Sequence, residues 1–252
     1  DILLQNADDG SCFVWEMNGL ALANYGGAGW TTGVHWEVRA AGDFNGDSKS
    51  DILLQNVDNG ACFIWEMNGF DFLSDGSYGF VGWEPGPDWR VRAAGDFNGD
   101  GKSDILLQSA LDGACVVWEM NGVNFLSESS YGFVGWTPGK DWQVRAAGDF
   151  DGDGKCDILL QNEGDGACFV WLMDGLGFQD GQSYGGVGWV PGKDWLVRGT
   201  GDFNGDGKSD ILLQSTVDGG CFIWEMDGLS FAREDSFGFV GWKPGSDWHA
   251  VA

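Results

Sequence analysis

Side chains that could hold a cation recur four times along the chain. Residues 96–107 read D-F-N-G-D-G-K-S-D-I-L-L, and the pattern returns at 43–54, 149–160 and 202–213. Within each nine-residue loop, oxygen-bearing side chains stand at positions 1, 3, 5 and 9. They are Asp43, Asn45, Asp47 and Asp51, then Asp96, Asn98, Asp100 and Asp104. The third set is Asp149, Asp151, Asp153 and Asp157, and the fourth is Asp202, Asn204, Asp206 and Asp210. Alternate residues of a tight coil can point into one small volume, and hard oxygen donors there suit Ca²⁺. A backbone carbonyl at position 7 (Lys49, Lys102, Lys155 or Lys208) would complete each set, which predicts four calcium sites. Position 4 is glycine in every loop and position 6 in all but the first, which supplies the positive φ such a wrap requires. Ser48 stands at position 6 of the first loop, so that loop is expected to be the most strained. D-N-G-D-G strings are also ordinary turn formers. Four copies in register, each ending in an Asp that opens an apolar run, favour metal. An EF-hand is excluded, because it would place a Glu at position 12 between flanking helices.

A second recurring stretch could recognise a ligand. G-W-x-P-G-x-D-W occupies residues 82–89, 135–142, 188–195 and 241–248. Its first Trp and its Asp form the pairs Trp83 with Asp88, Trp136 with Asp141, Trp189 with Asp194 and Trp242 with Asp247. A flat ring beside a carboxylate suits carbohydrate, whose C–H face stacks on the ring while its hydroxyls bond to polar groups. Trp30 and His35 hold these places in the first repeat, so a site there should differ or fail. Trp15, Trp65, Trp118, Trp171 and Trp224 read instead as wedge-filling core, as does the second Trp of each stretch. Arg39, Arg92, Arg145 and Arg198 are expected to pair with nearby carboxylates.

Catalysis finds little support. The two histidines, His35 and His249, have no nucleophile motif beside them. The abundant carboxylates read more simply as metal ligands than as a glycosidase pair. G-D-G-K-S lacks phosphate-loop spacing and sits among carboxylates. The formal net charge of −26 would repel phosphate backbones and anionic membranes, so nucleic acid is not an expected partner. Four Ca²⁺ ions would bring that charge only to −18. No apolar run approaches the roughly 18 residues of a membrane span, so insertion is not expected. Asp1-Ile2-Leu3-Leu4 carries neither Met nor a basic leader and reads as the start of a mature or excised domain.

The elements that must position these residues repeat with the loops. Asp1, Asp51, Asp104, Asp157 and Asp210 are spaced 50, 53, 53 and 53 residues apart, which defines five repeats. Each supplies a small-residue strand W-x-V-R-A-A-G, an apolar strand D-I-L-L-Q, a third strand such as 61–67 and a glycine-rich fourth around 72–83. Turn residues separate them and no helical period appears. The expected fold is all-β, a five-bladed β-propeller of four-stranded antiparallel blades forming one domain over residues 1–252. The C-terminal segment 247–252 matches the strand missing before Asp1 and is expected to complete the first blade and close the ring. Five of the six cysteines (Cys12, Cys62, Cys115, Cys168, Cys221) fall at equivalent places and Cys156 lies within the third loop. They read as small buried side chains, since no CxxC pair exists and repeat spacing exceeds disulfide reach.

The loop D-F-N-G-D-G-K-S-D-I-L-L followed by G-A-C-F-V-W-E-M-N-G resembles the FG-GAP/VCBS repeats of extracellular bacterial proteins, integrin α-chain propellers and some fungal propeller lectins. The likeness extends over essentially the whole chain. It implies propeller blades, Ca²⁺ in the loop between the first two strands, and an extracellular or cell-surface setting. A literal F-G…G-A-P string is absent, and Y-G-F-V-G-W stands near its place at 78–83. The expected function is a calcium-stabilised, non-enzymatic recognition module binding carbohydrate or cell-surface glycan at repeated sites. The alternative is a structural or protein-binding adhesion domain of a larger surface protein.

Overall fold

The computed structural model describes residues 1–250, and every regular element among them is a β-strand. Four sheets share one plan. In the second blade, Trp36–Gly42 pairs with Asp51–Asn56, which pairs with Cys62–Trp65, which pairs with Tyr78–Val81, antiparallel throughout. The third blade uses Trp89–Gly95, Asp104–Ser109, Cys115–Trp118 and Tyr131–Val134. The fourth uses Trp142–Gly148, Asp157–Asn162, Cys168–Trp171 and Tyr184–Val187. The fifth uses Trp195–Gly201, Asp210–Ser215, Cys221–Trp224 and Phe237–Val240. The first blade has three strands among the described residues, Ile2–Gln5, Cys12–Asn18 and Ala21–Ala28. This is the all-β, five-bladed β-propeller class.

The chain divides into two compact units. The first comprises Asp1–Ala94 with Gly101–Leu107 and Trp118–Tyr131, and the second comprises Gly95–Asp100, Gln108–Val117 and Gly132–Ala252. In the first unit, Cys12 and Ala28 of one blade pack against Ile52, Leu54, Trp65 and Met67 of the next. In the second unit, Phe150, Leu159, Val170 and Leu172 meet Ile211, Leu213, Trp224 and Met226 in the same way. Trp65, Trp118, Trp171 and Trp224 are fully buried, as their strand position implied. Truncating one to Ala would cost about 3–5 kcal/mol. Trp15 departs from the set at 40% exposure: Trp65, Trp118, Trp171 and Trp224 each meet the Trp that precedes their blade, and no such ring contact is made by Trp15 among the described residues.

Two local departures from the sequence reading have physical causes. The third strand ends at Trp65 and does not run to Met67: the Glu66 N–H goes to Ser77 O, Glu66 O accepts from Leu73 N, and Asp51 Oδ1 accepts the Met67 N–H at 2.8 Å. Met67–Asn68 then pairs with Asp71–Phe72 as a separate hairpin, leaving only Tyr78–Val81 as the outer strand. The inner strands carry a bulge at Arg39, Arg145 and Arg198. Arg39 pairs with Glu37 at 2.6 Å and Arg145 with Glu163 at 3.5 Å, whereas Arg198 bonds Gln214 and His249.

The C-terminal segment lies beside the fifth blade at the place an inner strand would take. Gln214 Nε2 donates to Trp248 O and its Oε1 accepts from Ala250 N, both at 3.0 Å. Residues 248–250 carry no strand pairing, and Val251 and Ala252 lie outside the described residues, as does the end of the expected closing strand.

Candidate metal centre and ligand surface

Each acidic loop coils because its first side chain caps its own backbone. Asp43 Oδ1 accepts from Gly46 N at 2.7 Å and Asp47 N at 3.1 Å, and Oδ2 accepts from Ser48 N at 2.7 Å. Asn45 Oδ1 takes the Asp47 N–H, and Asp47 Oδ1 takes that of Lys49. Asp149 and Asp202 repeat the pattern with Gly152, Asp153 and Gly154, and with Gly205, Asp206 and Gly207. In the loop that spans both units, Asp96 takes Gly99 and Asp100 within the second unit. Ser48 sits at φ 66°, the one non-glycine residue with positive φ among those described, as the sequence implied for the first loop.

Three carboxylates of the third loop converge. One oxygen each from Asp149, Asp151 and Asp153 lies within 4.8 Å of the others, a spacing that a single cation can bridge. In the first loop Asp47 Oδ2 is shut from solvent without a hydrogen-bond donor, with the Lys49 ammonium 3.8 Å away. The all-oxygen, acidic donor set of the third loop fits a hard divalent ion such as Ca²⁺. When bound, the ion would offset the repulsion among these carboxylates.

Position 9 has a distinct place. Asp51, Asp104, Asp157 and Asp210 are buried. Asp157 Oδ2 accepts from Phe150 N at 2.9 Å and its Oδ1 accepts from Met173 N at 2.8 Å, tying loop to hairpin, and it is not among the three clustered aspartates. Burial, reinforced by the charges of Asp151 and Asp149, pushes its carboxyl up to about 8, and burial likewise raises Asp51 to about 6. Three of the lysines at position 7 turn their side chains elsewhere, Lys102 to Asn121, Lys155 to Asp174 and Lys208 to Asp227, while Lys49 stays beside Asp47. A Cβ on Gly152 would lie 3.3 Å from the Lys208 stem, and the Lys155 ammonium meets Asp174 at 2.6 Å.

The first Trp of the second stretch is half-exposed in three copies: Trp83 at 45%, Trp136 at 41% and Trp189 at 41%. Trp242 is more open at 81%. Each of the three lies on the rings of the following blade. Trp136, for example, is 5.1 Å from Trp171 and 4.7 Å from Tyr184, in edge-to-face contact. Their positions are fixed by Gly82, Gly135 and Gly188 at φ 65–67°, where a Cβ would strike the buried Trp at 2.6–2.7 Å. Asp88, Asp141, Asp194 and Asp247 are exposed. Between the two Trp of the stretches at 135–142 and 188–195 lies a small apolar pocket. In the fourth blade it is lined by Trp136, Pro138, Trp142, Leu160, Phe169 and Trp171, without a carboxylate. The structure thus joins the two Trp of a stretch at one pocket and leaves the Asp outside its lining.

One role was invisible in the sequence reading. The Gln closing D-I-L-L-Q is buried and clasps the next inner strand: Gln161 donates to Trp195 O at 2.9 Å and accepts from Val197 N at 3.0 Å. Gln5, Gln55, Gln108 and Gln214 do the same. A polar residue invariably ending an otherwise apolar strand was the available signal.

The search of curated proteins finds no match to this chain. A family model described as FG-GAP-like repeat matches residues 43–107, 96–160 and 149–213, each match running from one acidic loop through the next. Repeats of this kind on a propeller scaffold are those of interaction and adhesion-type modules. With the matches spanning 43–213, well over half of the chain, and blades that repeat in the same register, the protein belongs to the FG-GAP-like repeat family.

Proposed function

We propose that this protein is a calcium-stabilised, non-catalytic recognition module of the cell exterior that binds carbohydrate at repeated sites on its blades. The observation that carries this reading is the half-exposed Trp held at one equivalent place in three blades, Trp83, Trp136 and Trp189, with an acidic residue five positions on. A rigid ring face offered to solvent stacks on the C–H face of a sugar, and Asp88, Asp141 or Asp194 could take its hydroxyls. Single sites of this size bind weakly, and repetition raises avidity without new contacts. Calcium would hold the acidic loops Asp43–Asp51 and their equivalents in the coiled form that ties each blade to the next.

A glycan array probed with and without calcium tests the reading. Binding to a defined sugar, lost in a Trp136→Ala variant that remains folded by circular dichroism, is the expected result. Silence across the array by the folded protein would favour the second reading, a protein-binding adhesion domain, which the interaction-module character of the family supports.

A further inference from the structure

Seven Asn–Gly steps occur in the chain, at Asn18, Asn45, Asn59, Asn68, Asn98, Asn121 and Asn204. Asparagine is a thermolabile residue, and a following glycine exposes it most, because no Cβ hinders approach to the glycine nitrogen. That nitrogen, once deprotonated, attacks the asparagine Cγ and closes a five-membered succinimide. The side-chain nitrogen leaves as ammonia, and water then opens the ring to aspartate or isoaspartate. The balance is asparagine and water giving an acid and ammonia. A glycine N–H held in a hydrogen bond cannot enter this reaction until the bond opens. The acceptor of each glycine N–H therefore decides which steps react.

Five of the seven are held. Gly46, Gly99 and Gly205 donate to the first aspartate of their own acidic loops, at 2.7, 2.7 and 2.6 Å. Gly60 donates to Asn56 O at 2.9 Å, and Gly122 donates to Phe44 O at 2.7 Å. The other two, Gly19 and Gly69, lie in exposed hairpin turns, and among the described residues neither N–H has a hydrogen-bond acceptor. The contrast is direct at the hairpins, because Gly69, Gly122, Gly175 and Gly228 occupy one equivalent place. Phe44 O, Phe97 O and Phe150 O, each from an acidic loop, take the N–H of Gly122, Gly175 and Gly228. No loop carbonyl does this for Gly69 among the described residues.

We propose that Asn18 and Asn68 are sites of spontaneous deamidation, while the hydrogen bonds of the fold lock the other five Asn–Gly steps. Each event adds one negative charge to a chain that already carries −26. Where aspartate forms at position 68, the second blade also comes to match the fourth and fifth. Their turns hold Asp174 against Lys155 and Asp227 against Lys208. Lys49 is the equivalent lysine of the first loop and lies 3.8 Å from Asp47. A carboxylate at position 68 offers it a second partner of the same kind.

Incubation of the intact, calcium-supplemented protein at mildly alkaline pH, with peptide mapping by mass spectrometry over time, tests this. Conversion reads as a mass gain of one dalton at a named asparagine, and ion exchange separates the more acidic products. Asn18 and Asn68 should convert faster than the other five by about tenfold or more, the factor set by the opening of each held N–H. The same protein in urea is the reference, because all seven steps then lie in open chain and should convert at similar rates. Asp202→Ala removes the acceptor of the Gly205 N–H and should bring Asn204 toward the rate of Asn68. Asn59 staying slow in that variant shows that the fold persists. If Asn59 also speeds up, the variant has opened and the wild-type rates decide alone. Uniform rates across the seven in the folded protein, or Asn98 or Asn121 keeping pace with Asn68, would overturn the proposal. So would an unmoved Asn204 in a folded Asp202→Ala variant.

Discussion

Ser48 shows how much one residue can matter in a loop of nine. Its φ of 66° lies where a Cβ crowds the following carbonyl, and Gly101, Gly154 and Gly207 fill the same place in the other loops with φ between 83° and 87°. Left-handed backbone costs a non-glycine residue roughly 1–2 kcal/mol, part of which glycine returns as unfolded-chain entropy. Ser48→Gly should therefore raise stability by about 1 kcal/mol, seen as a higher urea midpoint at unchanged slope. The residue scale is also where sequence was most readable. The oxygen ladder of the loops and the exposure of Trp83, Trp136 and Trp189 follow from local turn chemistry and from the Pro-Gly turns beside them. The burial of Asp157 was not readable, since it depends on Met173, sixteen residues away.

Among elements, the junction between blades turns on a single amide. Gln161 satisfies Trp195 O and Val197 N where the inner strand of the fifth blade begins, and it also donates to Gly166 O at 3.3 Å. Gln161→Leu would strand two buried backbone groups and should cost about 2–4 kcal/mol. Urea unfolding would show it, and a cost near zero would mean that water replaces the amide. Strand identities and order were legible because the same apolar runs and turn residues return in every repeat. Two things were not. The split of the third strand at Glu66 comes from backbone bonds to Leu73 and Ser77 that override a continuous β pattern. The clasp joins residues more than thirty positions apart, beyond any local window.

At the scale of the whole molecule, the acidity and the loops act together. Without metal, Asp157 holds its proton up to about pH 8, against an ordinary value of 3.8, and Asp51 up to about 6. A native-state value raised in this way stabilises the metal-free fold at low pH, and the contribution is lost as pH rises through the native value. A divalent ion bound only to the folded state adds stability by mass action and displaces that proton. The thermal midpoint of chelated protein should accordingly fall between pH 5 and pH 8, whereas that of calcium-loaded protein should hold, by calorimetry on both forms. An unchanged midpoint on chelation at pH 8 would count against the metal assignment.

The cysteines have one more consequence. Cys12, Cys62 and Cys168 are buried without disulfide partners, one to a blade, and burial lifts the thiols of Cys62 and Cys168 to about 12 and that of Cys12 to about 11. A thiol in that state has almost no reactive thiolate near neutral pH, so alkylation must wait for its strand to breathe open. Each of these blades thus carries its own sulfhydryl clock, and the order in which the clocks run down would report which blade loosens first.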